Sequence, residues 1–114
     1  MKNTVITICI LLFSVLTNAQ QGKVLVDSFK VDGNCDMCKK RIEDAAYVKG
    51  VKRAEWSKST QQLVLFYKSD KTSILKIAEQ VALAGHSNEK VKAKEEDYKK
   101  LPECCHYLTT TCEH

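Results

Sequence analysis

A chain of 114 residues with 44% hydrophobic and 28% charged side chains has material for one small core and too little for two. Its net charge of +4 is modest, and no cluster of arginines with aromatics supplies the footprint of a nucleic-acid surface. The surplus of base serves solubility and docking to an acidic partner, with no specificity beyond that.

Lys2, an apolar or weakly polar run over residues 5–16, and the small residues Thr17-Asn18-Ala19 stand in the order of a secretory signal peptide. The run is too short to span a bilayer, which takes about 20 apolar residues, and Gln20, Gln21 and Gly22 end it. Residues 1–19 are therefore expected to be cleaved, leaving a periplasmic or secreted protein with no stable membrane insertion. Cys9 lies inside the apolar run and not at the cleavage point, so it reads as filler rather than as a lipid attachment site.

Residues 23–31 predict a strand, with Val24 and Val26 on one alternation and Phe29 and Val31 on the other. The change of phase at Asp27 and Ser28 suggests a bulge or a late start. Gly33-Asn34 makes a turn, and Cys35-Asp36-Met37-Cys38 opens a helix over residues 38–48 with Ile42, Ala45 and Ala46 on its inner stripe, ended by Gly50. Val51, Ala54 and Trp56 predict a second strand, residues 57–61 a polar turn, and residues 63–67 a third strand, with Trp56 and Phe66 in the core. Thr72 or Ser73 caps a second helix carrying Ile74, Ile77, Ala78 and Val81 at helical spacing, and Gly85 closes it. A last strand is expected over residues 90–94, with Val91 and Ala93 inward. The order strand, helix, strand, strand, helix, strand predicts an α+β fold, the ferredoxin-like βαββαβ sandwich, over residues 20–94. Residues 95–114 form a charged helical segment stopped by Pro102, and a Cys-rich tail.

The thiols of Cys35 and Cys38 fall on one face of a helical turn and converge on one point. The free N–H groups and the dipole at a helix start favour their thiolate form. Such a pair either holds a soft metal or exchanges electrons. Five cysteines remain after cleavage: Cys35, Cys38, Cys104, Cys105 and Cys112. An odd number leaves at least one thiol unpaired within the chain, and five cysteines in two short segments cannot staple the body of a domain. Cys104 and Cys105 are adjacent, with Cα atoms about 3.8 Å apart, too close for an ordinary disulfide. Three readings of the tail stay open. One cysteine bridges to Cys112; or Cys104, Cys105, Cys112, His106 and His114 form a second soft-metal site; or the tail folds back onto the first pair to give a closed four-thiolate site suited to structural Zn(II). The last is disfavoured here, because a final strand running away from the first pair would oblige the tail to return along the whole sheet.

The run Val31-Asp32-Gly33-Asn34-Cys35-Asp36-Met37-Cys38-Lys39-Lys40-Arg41-Ile42-Glu43, with Gly50-Val51 and Ala82-Leu83-Ala84-Gly85-His86, resembles the heavy-metal-associated domain family over residues 24–94. The resemblance implies that Cys35 and Cys38, on an exposed loop, bind Cu(I) foremost, with Hg(II) or Zn(II) as alternatives. It implies a metal carrier and no enzyme, with a transporter or chaperone as partner. Two positions depart from the family pattern. Gly33 stands where many members carry a methionine that packs under the loop, and His86 stands where an aromatic or lysine is common. His86 reads first as a surface loop residue and second as an additional ligand, together with Cys104 and Cys105. Lys39, Lys40 and Arg41 form either a solvated helix face or a docking patch that lowers the thiol pKa. A protein that exchanges disulfides through Cys35 and Cys38 is the alternative function. Against it, thioredoxin-like folds need a proline facing the redox pair from a later loop, and Pro102 is the sole proline.

Overall fold

The computed structural model describes residues 22–109. The proposed signal segment with Cys9, and Cys112 and His114 in the tail, lie outside the described residues. Chain order is β1 (Val24–Lys30), α1 (Asp36–Ala46), β2 (Val51–Trp56), β3 (Gln62–Lys68), α2 (Ile74–Leu83), α3 (Glu95–Lys99) and a 3-10 turn (Glu103–Cys105). The three strands form an antiparallel sheet in the order β1-β3-β2. This is the ferredoxin-like arrangement expected from the sequence, with its last strand reduced.

Register follows from which residues can be buried on one face. Phe29 pairs with Leu63, and Leu63 also faces Trp56, while Ala54 faces Leu65. Alternation along β3 therefore puts Leu63, Leu65 and Tyr67 inward, leaving Val64 exposed and Phe66 half-buried. Phe66 thus belongs to the outer face and not to the core, with the Arg53 guanidinium 5.9 Å above its ring. No bulge interrupts β1: its pairing with β3 is continuous, and Val24 and Val26 are exposed because they pair with Lys68 and Phe66 on the outer face of the sheet. The irregularity lies instead in β2, between Val51 and Arg53.

On the covered face, Cys38, Ile42 and Ala46 from α1 meet Ile77, Ala78 and Val81 from α2 above Phe29, Leu63, Leu65 and Trp56. Ser73, not Thr72, caps α2, its Oγ accepting from Lys76 N at 3.3 Å. Gly85 ends the same helix at φ +101°, a conformation that an L side chain rarely adopts.

The expected fourth strand is reduced to one bridge, Val31 with Asn88, on the free edge of β1. Its physical cause is the turn that follows. Asn88 Oδ1 accepts from the backbone N–H groups of Lys90 and Val91, Asn88 N donates to Val91 O, and Ala93 N donates to Ser87 Oγ. The side chain of Asn88 thereby imposes a turn where a strand would otherwise continue. The chain reverses and stays at the end of the sheet where α1 begins.

Candidate metal centre

Gly33 and Asn34 lead from β1 to α1, and Cys35, in extended conformation, is the residue that caps the helix. Trp56 lies beneath this loop. Its Nε1 donates to Val31 O at 3.0 Å, and a Cβ on Gly33 would come within 2.9 Å of Trp56 Cζ2 and 3.1 Å of Cys38 Cβ. The indole occupies the space under the loop, and glycine at position 33 lets it approach that closely. Glu43 Oε2 accepts from Trp56 N and from Lys39 Nζ, which also donates to Trp56 O. Arg41 Nη2 donates to Ala84 O near the end of α2. Lys39 and Arg41 thus tie α1 to its neighbours while remaining partly exposed, and Lys40 is the most open of the three to solvent.

The two thiols are buried, contrary to the expectation of an exposed loop: Cys35 is 6% exposed and Cys38 0%. The returning tail covers them. Leu101 packs against Gly85, where an added Cβ would lie 2.9 Å from Leu101 Cγ. Tyr107 Oη donates to Gly85 O at 2.9 Å and accepts from Ser87 N at 3.0 Å. The Tyr107 ring is edge-on to Tyr98 at 5.0 Å. These contacts seat the 3-10 turn on α1 and bring Cys105, itself fully buried, to the first pair. The tail takes the return route disfavoured from sequence, but it brings Cys105 alone and so completes three thiols, not four. Because the Asn88 turn abolishes the long last strand, there is no sheet to retrace.

The sulfurs of Cys35, Cys38 and Cys105 lie within 4.8 Å of one another, with Cys35 Sγ 3.3 Å from Cys38 Sγ and 3.6 Å from Cys105 Sγ. A metal–thiolate bond of about 2.3 Å with S–M–S angles of about 90–120° asks for sulfurs roughly 3.3–4.0 Å apart, so small side-chain adjustments admit an ion at their centre. Cys38 Sγ also donates to Asn34 Oδ1 at 3.1 Å. Cys104 is half-buried and lies outside this group, its Sγ 3.9 Å from Cys105 Sγ.

Burial pushes the Cys38 and Cys105 thiols above the ordinary cysteine range, the reverse of the lowered values expected at a helix start. Desolvation outweighs the helix dipole here. His86 is neither at the surface nor among the converging sulfurs. It is fully buried, its Nδ1 is 2.8 Å from Asp32 O, its Nε2 has no hydrogen-bond partner among the described residues, and its ring stacks on Tyr107 at 5.6 Å. Burial lowers its pKa. His106 Nε2 lies 2.8 Å from Leu101 O and so belongs to the tail's own framework.

Sequence reasoning singled out Cys105 only within a wider group. No spacing signal separates it from Cys104, because the chain leaves helical geometry at Pro102 and re-enters it only as a 3-10 turn over Glu103–Cys105.

No protein-family model matches the chain, and no curated protein does. Solved structures do. Among them are a CopZ metallochaperone (21% identity, TM-score 0.54, 56% of this chain and 98% of that one) and oxidized MerP from Ralstonia metallidurans CH34 (26%, 0.55, 59% and 96%). A copper CopA variant from Bacillus subtilis is a third (20%, 0.52, 67% and 99%). The likeness establishes the fold, and it accounts for two thirds of this chain at most.

Proposed function

We propose that this protein is an exported binder of a soft cation, Cu(I) foremost, which Cys35, Cys38 and Cys105 hold together and surrender by thiolate exchange to a partner's cysteines. The observation that carries the reading is the convergence of three thiols within 4.8 Å at the start of α1. Thiolates select Cu(I), Hg(II) and Zn(II) over hard cations. Three sulfurs suit low-coordinate Cu(I) or Hg(II), whereas Zn(II) in structural sites takes four ligands in a tetrahedron, and Cys104 stands outside the group. The described structures of similar fold, a metallochaperone and a copper protein among them, support the same class of cargo. Export rests on the signal-like order of residues 1–19.

The chemistry is binding and release. Each thiol loses its proton as the ion binds, and exchange proceeds as an incoming thiolate replaces one sulfur at a time, the tail sulfur of Cys105 being the one on the separable segment. Holding an ion on three buried sulfurs suits a scavenger as well as a carrier. Disulfide exchange is the weaker reading, because burial raises the pKa of Cys38 and a buried thiol is a poor nucleophile.

Anaerobic Cu(I) titration against a competing chelator tests the assignment. Cys105→Ser should weaken binding by at least the ~100-fold that loss of an outer partner costs at most, and Cys35→Ser/Cys38→Ser should abolish it. Unchanged affinity in the double variant would refute the reading.

A further inference from the structure

Met37 stands in the first turn of α1, between the two cysteines, and is 52% exposed. Its sulfur nevertheless lies 3.3 Å from Cys104 Sγ. Cys104 Sγ is 3.9 Å from Cys105 Sγ, which is 3.6 Å from Cys35 Sγ, itself 3.3 Å from Cys38 Sγ. Five sulfurs therefore run without a break from the buried floor of the site to its surface. Burial does not account for the outer two. Half of Met37 remains in water, and a thiol donating to a thioether is a weak bond.

We propose that Met37 Sδ and Cys104 Sγ form an outer subsite for a second soft cation, joined to the inner three by Cys105 Sγ as a bridging thiolate. The inference rests on the inner site binding metal and adds a second ion to it. A thioether beside a thiolate is a donor set for Cu(I), since neither sulfur suits a hard cation. Both outer separations fall in the span of roughly 3.3–4.0 Å that two sulfurs need around one ion at about 2.3 Å. The charge also balances. Cu(I) binds Cys104 as its thiol proton leaves to solvent, no electron moves, and the new cation cancels the new thiolate. The cluster's net charge is unchanged while the Cys105 thiolate is shared by two cations. Being at the surface, the outer ion is the one that a partner's thiols would meet first.

Native mass spectrometry of the full chain, titrated anaerobically with Cu(I), tests this. The wild type should take up two ions. Met37→Leu/Cys104→Ser, which nearly preserves side-chain size, should retain the first ion and bind the second at least about tenfold more weakly; an unchanged far-ultraviolet circular dichroism spectrum shows that the variant is folded. A wild type saturating at one ion overturns the outer subsite and leaves the inner reading standing. A second ion that persists in the double variant overturns it too, by assigning that ion elsewhere. A wild type that binds none refutes both.

Discussion

At the scale of single residues, burial governs the chemistry. Cys38 and Cys105 are protonated at neutral pH because desolvation raises their pKa, so a bound cation must expel both protons. Apparent Cu(I) affinity should therefore rise with pH, these two protons alone giving a factor of at least about one hundred per unit below the ordinary thiol pKa; isothermal competition at pH 6, 7 and 8 measures the slope, and a flat profile would contradict it. His86 has the opposite sign. Its folded pKa lies below the ordinary 6.5, so the stability of the neutral, buried ring is complete above that value and is lost as pH falls through the folded pKa. Each unit of depression corresponds to about 1.4 kcal/mol. Thermal midpoints measured between pH 7.5 and 5 should drop less in His86→Gln than in the wild type.

Among the elements, the tail is the one whose packing decides what the site is. Leu101 is 4% exposed and rests on Gly85. Leu101→Ala should cost about 2–5 kcal/mol, most of it in the seating of the tail, and should accelerate alkylation of Cys38 and Cys105 together. Gly85→Ala adds a Cβ 2.8 Å from Asp97 O at a φ of +101°, so it should destabilise the same contact by more than about 1 kcal/mol. Both helices and the β2–β3 hairpin were legible because Ile42, Ala46, Ile77, Ala78 and Val81 carry helical spacing and Leu63, Leu65 and Tyr67 a period of two. The last strand was misjudged because Val91 and Ala93 alternate as a strand does, while the decisive group is a single side chain, Asn88 Oδ1, that turns the backbone before a strand can form. Burial of the cysteine pair depended on that turn, and so could not be read from Cys35 and Cys38 themselves.

For the molecule as a whole, the sandwich supplies a core of its own, and α3 buries none of its residues. A chain ending at Lys94 should keep the far-ultraviolet signature of the sandwich and still hold Cu(I), but with the affinity lowered at least about 100-fold, as in Cys105→Ser. The central claim is that a tail thiol completes the site, and X-ray absorption on the protein loaded with one equivalent of Cu(I) tests it most directly. Three sulfur neighbours in the wild type, falling to two in Cys105→Ser, is the predicted result; two sulfurs in both proteins would contradict the account.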